Sequence, residues 1–137
     1  MTEIPPITTD LVWRDALRFD ASCGANQLVL DSRGEAGPSP VQALAMALAG
    51  CMAMDVVHIL QKGRLPIQGL RAHLVAGRSG ADPKRIVSAQ LRLTVVGDVP
   101  GEKVERAIAL SRETYCSVWH SLNPDIAFTT SFEVVAS

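Results

Sequence analysis

The sequence has 137 residues, enough for one domain of ordinary size with little left for a second. Thirteen basic residues against 14 acidic ones give a net charge of −1, so charge offers no basis for binding nucleic acid or an anionic membrane. Apolar residues make up 47% and charged residues 20%, a balance that excludes a disordered chain and is typical of a globular protein.

The first predicted elements are two strands that form a hairpin. Residues 8–20 alternate between apolar and polar side chains, which is the period of a half-buried strand. Gly24 marks a turn, and residues 26–31 predict the partner strand.

A long apolar helix is predicted next. Ser39 suits the cap of a helix and Pro40 its first position, and Gly63 suits the end of the same helix. We therefore expect a helix from Pro40 to Lys62. Residues 43–54 within it carry no charge, but crossing a bilayer needs about 20 apolar residues. The pattern favours a buried helix and no membrane span.

The second half of the chain predicts two strands, a second helix and a last strand. Residues 70–78 and 85–96 are strand-like and are separated by a turn. Residues 102–122 place apolar side chains at helical spacing, and residues 126–135 alternate as a strand does. The apolar face of the second helix consists of Val104, Ile108, Tyr115, Val118, Trp119 and Leu122. The order ββ-α-ββ-α-β predicts one α+β domain over residues 1–137.

The long helix has too much apolar surface for a chain of this size. Only three polar residues interrupt the apolar run over residues 41–60: Gln42, Asp55 and His58. A helix that is apolar all round is buried on every side. One chain of this size forms only two thin layers, which would leave one side of the helix exposed to water. We therefore expect an obligate homodimer in which a second chain covers that side.

Three residues of chemical interest share one face of this helix. Cys51, Asp55 and His58 follow one another at helical spacing, so a thiol, a carboxylate and an imidazole lie on one side. The cysteine is either a small buried residue or a thiolate that a nearby positive charge stabilises. One helix face supplies at most three ligands, and the sequence has no CxxC or HExxH motif, so we expect no metal and no other cofactor.

The other two cysteines lie elsewhere in the chain. Cys116, on the second helix beside Arg112, is either a core residue or a resolving cysteine. Cys23 lies next to Gly24 in the predicted hairpin turn, where we expect it to be exposed and without a role. An odd number of cysteines fits a reducing compartment, and residues 1–10 lack the segments of a signal peptide. We therefore expect a cytoplasmic protein.

Two stretches of the sequence resemble one protein family. Residues 37–44 (GPSPVQAL), followed by residues 49–57 (AGCMAMDVV) and 59–60, are similar to the central helix of the osmotically inducible protein C superfamily, OsmC/Ohr. Residues 115–118 (YCSV) resemble the family's second-cysteine motif, which precedes a final strand. The resemblance covers nearly the whole chain and is closer to the OsmC-like branch than to the dedicated hydroperoxide-resistance enzymes.

The resemblance implies an intertwined homodimer in which two long helices pack centrally under antiparallel sheets, with each active site at the dimer interface. Many members are thiol-dependent peroxidases that reduce organic hydroperoxides in the response to oxidative stress. By motif, Cys51 attacks the peroxide and becomes a sulfenic acid, and Cys116 then closes a disulfide with it. A thiol reductant of unknown identity is implied as a further partner.

Two supporting residues of the family pattern differ in this chain. A glutamate is expected directly after the helix-starting proline, where this chain has Val41; the neighbouring Gln42 supplies hydrogen bonds but no charge. An arginine of the N-terminal hairpin normally stabilises the thiolate, and Arg18 and Arg14 are the candidates. The predicted substrate pocket contains Gln42, Asp55 and His58.

Three functions remain open on the sequence. The first is a thiol peroxidase, which the presence of both cysteines favours. The second is a binding protein that holds a lipid-like or other small apolar molecule at the dimer interface, which Val41 favours. The third is another thiol function of Cys51, such as a redox sensor or a hydrolase-like pair with His58.

A thiol peroxidase on an apolar helix needs a positive charge near its reactive sulfur, because burial disfavours the thiolate. The candidates for supporting Cys51 are Arg18, His58 and Arg112. We favour Arg18, because an arginine stays charged at every relevant pH while a buried histidine tends to lose its proton.

Overall fold

Three antiparallel strands in the order β1-β2-β3 form the first sheet. Their bounds are Asp10–Asp15 for β1, Arg18–Cys23 for β2 and Asn26–Asp31 for β3. The structure is a computed structural model that describes residues 3–137, and the chain divides into two compact units, Met1–Leu44 and Ala45–Ser137. The first sheet belongs to the first unit. The expectation of a single domain stays a prediction.

The predicted single strand over residues 8–20 is wrong, because the chain reverses within it. A turn at Ala16 and Leu17 separates β1 from β2, so that Trp13 pairs with Phe19. Ala16 has a φ of 46°, and its carbonyl accepts a hydrogen bond from the Trp13 indole N–H at 2.9 Å. This contact supports a turn that contains none of the usual turn residues. The hairpin of β2 with β3 about Gly24 is confirmed.

The buried Asp31 carboxylate holds the loop that follows β3. It accepts hydrogen bonds from the backbone N–H groups of Ala36 and Arg33, both at 3.0 Å, and from Arg18 Nε at 3.2 Å. These contacts lower the pKa of Asp31 from 3.8 to about 2, with the two backbone N–H groups as the largest cause. One carboxylate therefore ties β2, β3 and the following loop together.

Helix α1 spans Pro40–Lys62, as the sequence predicts. It begins with a capping box, in which Ser39 Oγ accepts a hydrogen bond from the Gln42 N–H at 3.1 Å and Gln42 Oε1 accepts one from the Ser39 N–H at 2.8 Å. The predicted cap at Ser39 is confirmed. The same contact gives the Gln42 side chain a structural role.

Within one chain, α1 is buried along one stripe and not on every side. The buried residues of α1 are Leu48, Met52, Val56 and Leu60. Met46 is 64% exposed and Met54 73% exposed, so the expected burial all round the helix is not reached by a single chain. By length and composition alone α1 could cross a membrane, a property that the core helices of soluble proteins share.

The second unit contains a three-stranded sheet in the order β4-β5-β6. Its strands are Ile67–Arg78 for β4, Ile86–Gly97 for β5 and Ala127–Val135 for β6. β4 and β5 pair antiparallel, but β6 runs parallel to β5. The expectation of antiparallel sheets is therefore wrong for this pair, because a helical crossover joins β5 to β6 where an antiparallel pair could use a hairpin.

The predicted second helix over residues 102–122 is interrupted. Its parts are α2 at Gly101–Leu110, a π-helical turn at Ser111–Tyr115 and the single-turn α3 at Ser117–His120. The Cys116 N–H donates to the Ser111 carbonyl five residues back, at 2.8 Å, and ends the π-helical turn. The wider turn changes the helical phase, so Tyr115 of the predicted apolar face is 57% exposed.

Alternate residues of β5 and one face of α2 supply much of the core of the second unit. The buried residues of β5 include Ala89, Leu91, Leu93 and Val95. On α2, Val104 and Ile108 are buried as predicted, and Ser111 continues their stripe as a buried polar residue. A polar side chain in such a position needs a hydrogen-bond partner.

We expect the first sheet to lose stability in acid. Because the pKa of Asp31 is lowered by folding, its ionised form stabilises the folded state above the ordinary pKa of 3.8, and this contribution is lost as the pH falls towards about 2. Amide hydrogen-exchange protection of β2 and β3 should fall over this range.

The variant Asp31→Asn should lower the same protection already at neutral pH, because the backbone N–H groups of Arg33 and Ala36 then lose their charged acceptor. The exposed Asp20→Asn on β2 is the control and should behave as the wild type. Equal protection in the wild type and in Asp31→Asn would contradict this role.

Candidate functional site

Two cysteines and one aspartate meet in the second unit. Helix α1 carries Cys51 and Asp55 one turn apart, and Cys116 follows the π-helical turn. The sulfur atoms of Cys51 and Cys116 and a carboxylate oxygen of Asp55 all lie within 4.8 Å of one another. Cys51 and Asp55 are half-buried, whereas Cys116 is fully buried. A small molecule in solution therefore reaches Cys51 more readily than Cys116.

A buried hydroxyl holds the aspartate in place. Ser111 Oγ donates a hydrogen bond to Asp55 Oδ2 at 2.8 Å, and Ser111 is 0% exposed. Loss of the acceptor would leave a buried hydroxyl unpaired, which typically costs about 1–3 kcal/mol. The Ser111 carbonyl also accepts the N–H of Cys116. One residue therefore positions both the carboxylate and the second thiol.

Cys116 is held as a neutral thiol. Burial is the main cause that raises the pKa of Cys116, to about 11. The Trp119 N–H, which donates to the Cys116 sulfur at 3.3 Å, lowers this pKa, whereas the neighbouring Cys51 and Asp55 raise it further. A thiol with this pKa is protonated near neutral pH and is a poor nucleophile until it loses its proton.

A cleft of about 540 Å³ opens beside Asp55. His58, which is exposed, and Lys62 contribute positive or titratable groups to its wall, and Leu110 and Tyr115 contribute apolar surface. The structure therefore brings two of the predicted pocket residues, Asp55 and His58, to one cleft. Such a lining suits an organic molecule with a polar end.

The guanidinium of Arg112 stacks on two aromatic rings. Its central carbon lies 5.6 Å from the ring centroid of Trp119 and 4.9 Å from that of Phe128. The two rings themselves lie 4.7 Å apart. These cation–π contacts give Arg112 a packing role where α3 meets β6, separate from its candidate role beside a thiolate.

Arg18 lies in the first unit, in the middle of a group of carboxylates. Its guanidinium contacts Asp31 at 3.2 Å, Asp15 at 3.7 Å and Glu35 at 3.8 Å. The hydrogen bond and the charge of Asp31 raise the pKa of Arg18 further above its ordinary value. Carboxylates of the same unit therefore partly neutralise the positive charge of Arg18. Its support of the Cys51 thiolate stays a prediction.

Three other residues weighed on the sequence also lie in the first unit. The Gln42 side chain acts in the cap of α1, and its place in a substrate pocket stays a prediction. Arg14 pairs with the exposed Asp20 at 3.7 Å. Cys23 ends β2 and is half-buried, so its predicted exposure in the turn is wrong.

Ser111 is absent from the residues predicted by sequence, although a signal for it exists. Val104, Ile108 and Ser111 are spaced at i, i+4 and i+7, so the serine occupies the apolar face of its helix. A small polar residue in that position indicates a buried hydrogen bond. Asp55, a carboxylate on the apolar α1, is the matching exception on the partner helix.

The sequence is similar to one protein family and to curated proteins over most of its length. Residues 32–131 match the family described as OsmC-like protein. Protein YhfA of Escherichia coli strain K12 is 38% identical over 128 residues, which cover 91% of this chain and 96% of YhfA.

Solved structures share the fold over almost the whole chain. A hypothetical protein from Aquifex aeolicus VF5 has a TM-score of 0.90 at 26% identity, covering 98% of this chain and 99% of its own. The organic hydroperoxide resistance protein OhrB of Bacillus subtilis has a TM-score of 0.65 at 13% identity, covering 93% and 98%, a likeness of fold alone. The resemblance inferred from the sequence is confirmed, and the chain belongs to the OsmC-like protein family.

Proposed function

We propose that this chain is a thiol-dependent peroxidase that reduces organic hydroperoxides through Cys51 and Cys116. The observation that carries the proposal is the approach of the two sulfur atoms to within 4.8 Å of each other. A disulfide needs a sulfur–sulfur distance of about 2 Å, so a shift of a few ångströms along one or both side chains closes the bond. Family membership supports the same chemistry.

The reaction begins at Cys51, the more accessible of the two thiols. Its thiolate attacks the OH-bearing oxygen of the hydroperoxide, the O–O bond breaks, and the departing alkoxide takes a proton from solvent to leave as an alcohol. Cys51 is then a sulfenic acid. The Cys116 sulfur attacks the Cys51 sulfur, hydroxide leaves and combines with the Cys116 proton as water, and a disulfide remains. A thiol reductant supplies the two electrons that restore both thiols.

The high pKa of Cys116 suits the role of the resolving thiol. A neutral, fully buried thiol does not compete with Cys51 for the peroxide. It reacts only when a sulfenic acid forms beside it. We place this cycle in the cytoplasm, where thiol reductants keep cysteines reduced.

The cysteine roles predict distinct products for three variants. After one equivalent of an alkyl hydroperoxide, the wild type should contain a single Cys51–Cys116 disulfide by mass spectrometry. Cys116→Ser should instead accumulate a sulfenic acid on Cys51 that a dimedone-type reagent traps. Cys51→Ser should consume no peroxide, because the buried Cys116 stays protonated.

The control for these variants is Cys23→Ser, which should behave as the wild type. A disulfide through Cys23, or a wild type that consumes peroxide no faster than a free thiol, would refute the two-cysteine scheme. In that case the protein would be better explained as a binding protein for a small apolar molecule. An almost entirely apolar groove of about 310 Å³ beside Leu11, Leu28 and Leu30 favours this second candidate.

We propose Arg18 as the cation that supports the Cys51 thiolate, with His58 as the alternative. Arg18→Ala should move the pH profile of Cys51 alkylation to higher pH and slow peroxide consumption about tenfold, the equivalent of one pKa unit. Arg33→Ala removes an exposed arginine of the same unit and is the control. If His58→Ala alone shifts the profile, the supporting cation is His58 and the assignment of Arg18 is wrong.

We propose a homodimer as the working form. Exposed apolar side chains remain on α1 at Met46 and Met54, and on the first sheet at Val12 and Trp13. Exposed apolar surface of this extent is unusual on a monomer and is typical of an interface.

Sedimentation should give twice the chain mass of 14.6 kDa at micromolar concentration. Met54→Glu should favour the monomer, because it places a charge on the apolar face of α1. Lys103→Glu introduces the same side chain on the exposed part of α2 and should leave the dimer intact. A compact wild-type monomer would contradict the assembly.

A further inference from the structure

We propose that the reduced protein binds one Zn²⁺ ion through Cys51, Cys116 and Asp55. These residues come from two separate helical segments. The expectation of no metal assumed that all ligands lie on one helix face, and this assumption does not hold here. Within the described residues 3–137, the donor atoms of these three side chains lie within 4.8 Å of one another, close enough to share one metal ion. The inference uses the two cysteines of the proposed peroxidase, but it does not depend on a hydroperoxide being the substrate.

The donor set is suited to zinc. Two thiolates and one carboxylate give a mixture of sulfur and oxygen that Zn²⁺ accepts, whereas Mg²⁺ and Ca²⁺ prefer oxygen alone. Zinc sites with three protein ligands keep a fourth position for water or a small molecule. Zinc would bind both sulfurs as thiolates, and the two negative sulfurs and the carboxylate would together offset the charge of the ion.

The distances require only a small contraction. Three atoms within 4.8 Å of one another share a centre no more than about 2.8 Å from each. Zinc bonds are about 2.3 Å to sulfur and about 2.0–2.2 Å to carboxylate oxygen. Movements of about half an ångström to one ångström in the ligand atoms therefore bring them to bonding distance of one ion.

The carboxylate is already oriented by a buried neighbour. Ser111 Oγ donates to Asp55 Oδ2 at 2.8 Å, and a carboxylate keeps further lone pairs free for a metal. Hydrogen bonds of this kind to ligating carboxylates are a regular feature of zinc sites. Ser111 would thus act as the outer partner of the site.

Metal binding and disulfide formation exclude each other, because both use the same two sulfur atoms. Zinc would protect the thiols from oxidation, and closure of the disulfide would release the ion. Bound zinc would therefore indicate that the two cysteines are reduced, and loss of zinc that they form a disulfide.

The test is a titration of the reduced, full-length protein with Zn²⁺ in competition with a chromophoric chelator. We expect one ion per chain, and we expect the disulfide form, prepared with a thiol oxidant, to bind none at this site. With Co²⁺ as the probe, the reduced protein should show the charge-transfer absorption of a cobalt–thiolate centre. An equal affinity in the reduced and disulfide forms would overturn the proposal.

Variants assign the ligands. Cys51→Ser, Cys116→Ser and Asp55→Asn should each weaken Zn²⁺ binding more than about 100-fold, and Ser111→Ala about 10–100-fold, the usual loss for an outer partner. Cys23→Ser should bind as the wild type. Asp55→Asn keeps an acceptor for Ser111, so its fold is preserved while the ligand charge is lost. Wild-type affinity in Asp55→Asn, or loss of binding in Cys23→Ser, would overturn the assignment.

The same samples separate this inference from the proposed function. Peroxide consumption by metal-free protein tests the peroxidase alone, and zinc binding by reduced protein tests the metal site alone. A protein that binds zinc but consumes no peroxide refutes only the peroxidase. A protein that consumes peroxide but binds no zinc refutes only the metal site.

Discussion

The hydrogen bond from Ser111 to Asp55 joins two helical segments, and the two residues are 56 positions apart in the sequence. Each partner is a polar residue on an otherwise apolar helix face, and the fully buried Ser111 hydroxyl needs the Asp55 carboxylate as its acceptor. A shift of one segment along the other would break the bond and leave a buried hydroxyl unpaired. The bond therefore sets the register that brings Cys116 beside Cys51, and the chemistry of the site depends on it.

Elements with a strong local signal were predictable from the sequence. Helix α1 has a capping serine, a proline at its first position and a long apolar run, and its bounds agree with the structure. The strands β3 to β6 follow from alternation between turn residues, to within a few positions. The turn at Ala16 could not be predicted in this way, because its support is a side-chain hydrogen bond from Trp13 and not a turn residue.

The site was predictable only in part, for a related reason. The face shared by Cys51 and Asp55 follows from helical spacing, and the link to Cys116 came from the family resemblance. The place of Ser111 on the apolar face follows from the spacing of α2, but the position of Cys116 could not be predicted by spacing, because the π-helical turn between them departs from the 3.6-residue repeat. The parallel pairing of β6 likewise depends on the crossover that follows β5, and not on the residues of β6.

A change of chain length between Ser111 and Cys116 would affect this protein differently from one in an exposed loop. The π-helical turn closes a hydrogen bond from Cys116 to Ser111 over five residues, so deletion of one residue from it would move Cys116 away from Cys51 while Ser111 kept its bond to Asp55. Substitutions at Glu113 and Thr114, which are exposed, should leave this geometry intact, whereas Arg112 also packs on Trp119 and Phe128. Relatives that retain both cysteines should therefore vary in sequence across this turn but keep the interval of five residues.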